Sequence, residues 1–257
     1  MKNISLTIAG SDPSGGAGLQ VDLKVFKELG VYGMGVVSSL TVQNSKGVLC
    51  TYPLTRGAVF QQIDALFRDF KIDAVKTGML LKTEVVEEVY KALENKNVKI
   101  VVDPVLVSSS GKPLLEEKAI SVLKEKLFSI CSILTPNLPE LEVLTGIEIK
   151  GEDDIEKAGK YLIDFGVDTV VVKGGHLKKG KTVIDYIFYE GKLEKLEYPM
   201  VNVDDVHGTG CVLSSAITAY LSFGYEHYKA IRLARAFLQY KLESVKKLGT
   251  GSFYFIL

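Results

Sequence analysis

What this chain has little of narrows it first. Its three cysteines, Cys50, Cys131 and Cys211, are widely spaced and odd in number, so neither a disulfide framework nor a zinc pattern follows. His176, His207 and His227 lack metal-ligand spacing and read as surface or loop residues. Basic and acidic residues balance at 31 each, which favours neither nucleic acid nor a membrane surface as partner. No apolar run approaches a transmembrane helix, and residues 1–10 are too short and strand-like for a signal peptide. A cytoplasmic, reduced location is therefore expected. No repeat, composition shift or Pro/Gly-rich linker divides the 257 residues, so one domain over 1–257 is expected.

What is present alternates. Strand-like segments at 4–9, 34–42, 72–77, 98–103 and 131–134 are separated by helical patterns. One such helix ends near Leu29 with Gly30 as its stop, one is capped by Thr55, one starts at Thr83 and one spans about 116–128. That alternation predicts an α/β fold with a parallel sheet covered on both faces. Unbroken apolar strands such as Val98–Val102 and Thr169–Val172 suit burial on both sides. From residue 182 the pattern changes to an antiparallel edge hairpin, 182–189 and 192–198 around Glu190-Gly191, followed by helices near 209–222 and 227–245. The tail from Gly249 reads as a last loop or an edge strand. Cys50 and Cys131 fall in strand-like settings and read as small core residues.

Ligands of such sheets bind beyond the carboxyl ends of the strands, where Asp103, Asn137, Glu140 and Lys173 fall. A carboxylate ending a strand as apolar as that of Asp103 must meet a cation, a metal or ligand donors. Val206-His207-Gly208-Thr209-Gly210-Cys211 is a small-residue turn opening a helix, an arrangement suited to an anion. Cys211 is expected at the first helical position, with its thiolate favoured by the helix field. Two look-alikes are set aside. Gly175–Thr182 matches the phosphate-loop pattern letter for letter, but Thr182 opens a strand rather than a helix. Gly15-Gly16-Ala17-Gly18 does not fit the dinucleotide fingerprint and reads as a permissive loop against which a substrate could lie.

Seven segments then match one family in order along nearly the whole chain. They are Ala9–Gly18 with Gln20 and Asp22-Leu23-Lys24, Val42-Gln43-Asn44, Lys76–Leu80, Val101–Val105, Leu134–Glu140, Val172–His176 and His207–Cys211. The chain resembles the hydroxymethylpyrimidine/phosphomethylpyrimidine kinases of thiamine biosynthesis. The resemblance implies a ribokinase-like three-layer α/β/α sandwich, homodimerisation, and phosphorylation of 4-amino-5-hydroxymethyl-2-methylpyrimidine and then of its monophosphate, with ATP as co-substrate and Mg²⁺ as cofactor. It implies that Gln43 hydrogen-bonds the pyrimidine while Gly10, Val42 and Met79 line its pocket. Asp103, Asn137 and Glu140 would lie near the magnesium and phosphates, with Asp103 and Glu140 acting on the metal through water. Lys173 and Thr209 would contact ATP phosphates. Gly208, Thr209 and Gly210 would cradle the transferring group, with Cys211 as base toward the hydroxyl. The chain departs from many members at Ser109 and Arg235, where they carry Lys, and Lys112 is a candidate substitute for the first. A pyridoxal kinase on the same scaffold and a non-catalytic ligand-binding protein are the rival readings.

Overall fold

The computed structural model describes residues 3–108, 111–174, 182–203 and 205–257. Strands β1 (Ile4–Ser11), β2 (Tyr32–Asn44), β4 (Ala74–Thr77), β5 (Lys99–Val102), β6 (Ile133–Leu134) and β7 (Thr169–Val172) pair in parallel, in the order β2-β1-β4-β5-β6-β7. Antiparallel strands extend both edges. The expected hairpin, β8 (Thr182–Tyr189) and β9 (Lys192–Pro199), follows β7. At the other edge β3 (Gly47–Pro53) folds back on β2; it contains Cys50, in keeping with the strand-like setting of that residue, while its bounds and pairing emerge only in the structure. Edge residues lack the apolar signature of buried strands, since one flank faces water.

Period-two alternation sorts the sheet's side chains into two cores. Ile100, Val102, Leu134, Val170 and Val172 face helices α2 (Ala58–Asp69), α3 (Thr83–Leu93), α4 (Glu117–Lys126), α5 (Leu138–Thr145) and α6 (Glu152–Asp164). Val101, Ile133, Val171 and Ile187 face α1 (Gly18–Glu28), α7 (Thr209–Ser222) and α8 (His227–Leu242). This is the three-layer arrangement expected, and it explains why the inner strands read as continuous apolar runs. Of the described helices, none is long and apolar enough to cross a membrane.

Several local expectations are corrected. Gly57, left-handed at φ 84°, caps α2, and Thr55 only accepts the Ala58 N–H through its backbone oxygen. Cys50 lies half-exposed on the edge strand β3, outside the core, whereas Cys131 is buried. His227 opens α8 as a buried residue with Nδ1 2.9 Å from Thr169 Oγ1. The tail forms isolated bridges, Val206 with Phe253 and Lys246 with Tyr254, rather than a full strand. His176, Ser109 and the phosphate-loop look-alike up to Lys181 lie outside the described residues; Thr182 does open β8.

Candidate active site

The strand order reverses on either side of β1, and a crevice opens at the carboxyl ends of the parallel strands. Two cavities occupy it. One of about 480 Å³ is lined by Gly10, Gln43, Met79, Asp103, Asn137, Glu140 and the turn 207–211, among others. The second, about 400 Å³, runs between Val201, Val203, Leu213, Leu238 and Leu242. Lys173, Asp205, Val206, Thr209 and Gly210 line both, so the cavities meet at the turn.

Gly208 caps α7 with φ 83°, and a β-carbon there would run into the Gly16 backbone oxygen. Glycine is thus required twice over, by conformation and by close approach. Thr209, Gly210 and Cys211 form the first turn of α7, whose N–H groups have no intrahelical acceptors and carry the positive end of the helix dipole. Cys211 is the third helical residue rather than the first. Its thiol is not a ready thiolate: burial pushes its pKa up to about 11, against the pull of Lys76. Desolvation of the sulfur thus opposes the thiolate that a helix start favours.

Beneath the turn, Asp103 meets the cation its setting demands. Lys173 Nζ donates to Asp103 Oδ1 at 2.9 Å, Thr135 Oγ1 to the same oxygen at 3.1 Å, and Ser214 Oγ of α7 to Oδ2 at 3.1 Å. Burial opposes the charge on Asp103, but Lys173 and Lys76 outweigh it and hold the carboxyl below its usual range. Asn137 and Glu140 make a reciprocal cap on α5: Asn137 Oδ1 accepts the Glu140 N–H and Glu140 Oε2 accepts the Asn137 N–H, each at 2.8 Å. Glu140 is buried 3.7 Å from Lys173 Nζ, and desolvation raises its pKa to about 7. A carboxyl so desolvated fits a nearby dication. Among the described residues no three acidic, histidine or cysteine groups converge to ligate one directly.

One charged pair escaped the sequence reading. Lys76 of β4 and Asp22 of α1 are fully buried, with Lys76 Nζ 2.6 and 2.7 Å from the two Asp22 oxygens. Thr7 of β1 and Ser215 of α7 also donate to Asp22, each at 2.5 Å. The expulsion argument applied to Asp103 holds equally for a lysine in Ala74-Val75-Lys76-Thr77 and would have found it.

At the far end of the larger cavity, Gly10, Gln43 and Met79 take part in the lining. Val42 does not. Strand alternation turns it to the opposite face from Thr41 and Gln43, where it is 44% exposed. His207, read as a loop residue, is a cavity residue with Nε2 2.8 Å from Gln43 Nε2 and 3.0 Å from Asp12 Oδ2. Arg235 lines the smaller cavity, where its Nε donates to Asp185 Oδ2 at 2.8 Å and its guanidinium sits over Tyr198. Lys112 Nζ turns to the Leu49 backbone oxygen, away from the cavity lining.

An anion turn on a helix start, a buried lysine–carboxylate cluster under it and two cavities that meet at the turn define a small-molecule phosphotransferase site on a ribokinase-like α/β/α scaffold. The comparisons agree. The family model for phosphomethylpyrimidine kinase matches residues 12–255. A hydroxymethylpyrimidine/phosphomethylpyrimidine kinase of Bacillus subtilis is 39% identical over 96% of this chain and 92% of its own. A solved phosphomethylpyrimidine kinase of Clostridium difficile is 39% identical over 93% of this chain and 99% of that one, with a TM-score of 0.82. An ADP complex of Bacillus subtilis pyridoxal kinase is 33% identical over 99% and 97% of the two chains, with a TM-score of 0.91. The chain belongs to the phosphomethylpyrimidine kinase family.

Proposed function

We infer that the protein transfers the terminal phosphoryl group of ATP to the hydroxymethyl group of 4-amino-5-hydroxymethyl-2-methylpyrimidine, and then a second to the monophosphate. The observation that carries this is the meeting of the two cavities at residues 208–211. The larger one offers Gln43, an amide able to give and accept a hydrogen bond at a pyrimidine edge. The smaller one suits the nucleotide, with Lys173 and Thr209 where the two cavities meet. Mg²⁺ would be held near Asp103, Glu140 and Asn137 through water, and when bound it supplies charge neutralisation on the phosphates. Lys173 and the first-turn N–H groups of α7 meet the charge that develops on the transferring oxygens. Incubation with this alcohol and ATP should give one and then two added phosphates by mass spectrometry; no added phosphate would end this reading. Pyridoxal kinase is the second reading, motivated by the structural likeness to that enzyme, and pyridoxal in the same assay separates the two.

Cys211 shapes the hydroxyl's seat and is not the resting base. The transition state of phosphoryl transfer is loose and asks little of a base, so the proton leaves late. Cys211→Ala is expected to lower kcat by about tenfold or less, whereas a loss of ~10² would reinstate base catalysis. In a Cys50→Ser background, alkylation of Cys211 should rise about tenfold per pH unit from pH 7 to 9, because the thiolate fraction still grows below a pKa of about 11. A plateau near neutrality would contradict the protonated thiol.

The outer face of the β2–β3 edge exposes Leu40, Val42 and Tyr52, and a second copy covering it accounts for Val42. A homodimer is expected by sedimentation, with Val42→Asp shifting it toward monomer; a wild-type monomer at micromolar concentration would remove the dimer.

A further inference from the structure

The neighbourhood of Gln43 carries more than a contact with substrate. Asp12 sits in the loop after β1 with both oxygens engaged. Oδ1 accepts from Ser14 N at 2.8 Å and Ser14 Oγ at 2.7 Å, and Oδ2 accepts from Gly16 N at 3.2 Å and Ala17 N at 2.9 Å. Burial alone would raise the Asp12 pKa, yet hydrogen bonds from His207 and Ser14 bring it below the ordinary value. An ionised carboxylate only accepts, so His207 Nε2, 3.0 Å from Oδ2, must carry a hydrogen. Gln43 Nε2, 2.8 Å from that same atom, then sets two donors head to head. A second conflict sits at the other end of the amide. Thr41 Oγ1, with one hydrogen, lies 2.9 Å from the Ser11 backbone oxygen and 3.2 Å from Gln43 Oε1. Turning the amide by a half rotation removes the donor–donor clash: its oxygen then shares the single His207 Nε2 hydrogen with Asp12 Oδ2 as a bifurcated bond, its nitrogen donates to Thr41, and Thr41 keeps its hydrogen for Ser11.

We infer that His207 is a positioning residue that holds the carbonyl end of the Gln43 amide, leaving the outer edge of that amide, one N–H beside one oxygen lone pair, free for a ring nitrogen flanked by an exocyclic amine. His207 and Thr41 grip the inner flanks of the amide, so its donor–acceptor order is set before any ligand arrives. The acceptor side lies toward His207, next in sequence to Gly208, so the amine is read on the side of the phosphate turn. A hydroxymethyl group on the carbon next to the amine-bearing one then points at that turn. The His207 ring is itself immobilised. Tyr254 packs edge-on at 5.7 Å, and both rings close over Gly16, where a β-carbon would collide with them.

This inference rests on the pyrimidine reading above, and its test keeps the two apart. Wild type, His207→Leu and His207→Gln are compared for KM and kcat with the aminopyrimidine alcohol, with its 4-oxo analogue, and with ATP. His207→Leu should raise KM for the aminopyrimidine roughly tenfold, as expected for losing one oriented hydrogen bond. KM for ATP should stay within about twofold, and preference for the amine over the oxo analogue should fall by a similar factor of about ten. His207→Gln, which returns an N–H at similar reach, should recover most of both. Equal effects on both substrates, or an unmoved KM for the pyrimidine, would overturn the positioning role. Independently of any variant, long-range ¹H–¹⁵N spectra of the ¹⁵N-histidine-labelled wild type at pH 7.5 should show His207 protonated at Nε2; a bare Nε2 overturns the assignment. A wild type with protonated Nε2 that fails to phosphorylate the pyrimidine would instead sink the substrate reading and leave the network standing.

Discussion

Lys173→Met is expected to lower kcat by ~10³ while leaving KM for the pyrimidine within a few-fold. Lys173 lines both cavities and lies directly under the turn, since a β-carbon placed on Gly210 would come within 3.2 Å of its Nζ. Burial opposes its charge, but Asp103 and Glu140 outweigh that penalty and keep the amine cationic across the working pH range. A fixed, desolvated cation stabilises spreading phosphoryl charge far better than one in water, because no solvent has to reorganise. Stability falls with it, by ~3–5 kcal/mol, since Asp103 is left buried without its partner. The double variant Asp103→Asn/Lys173→Met separates the effects: it should regain most of the stability in urea titrations and none of the turnover. A cooperatively folded Lys173→Met enzyme with kcat within tenfold of wild type would remove this lysine from the transfer step.

The Lys76–Asp22 pair should dominate stability in the same way. Lys76→Met leaves a fully buried carboxylate held only by Thr7 and Ser215, and the expected cost is ~3–5 kcal/mol. Asp22→Asn leaves the buried ammonium unbalanced and should cost a similar amount. The double variant Asp22→Asn/Lys76→Met buries no net charge and should be more stable than either single one. Strict additivity of the two costs would show that the charges do not compensate each other. Function should feel the change as well, because this pair ties β1, α1 and β4 to α7. Lys76 raises the positive potential at Cys211 and Asp103, while it is itself kept charged by Asp22 against the cost of burial.

Sequence pattern carried the architecture because each inner strand is buried on both faces and each helix on one, so hydrophobic periodicity reports layer and order. It gave no bounds or pairing for β3, which has a wet flank, and it failed at the Thr55 cap, where a left-handed Gly57 ends the approach to α2 instead. It found Asp103 by the cost of burying a lone carboxylate, and the structure supplies Lys173 as the answer. The same cost, applied to Lys76, was legible and not used.

From the residues alone came the turn at 208–211, the strand-end positions of Asp103, Asn137, Glu140 and Lys173, and the absence of a nucleotide fingerprint. Only the tertiary structure decided that Val42 faces outward, that His207 faces Gln43 across 164 positions of sequence, and that burial pushes the thiol of Cys211 up. The reason is physical: local pattern sets where backbone dipoles and strand ends lie. Desolvation and hydrogen-bond partnership, by contrast, depend on which distant segments close around a group, and no window along the chain contains them.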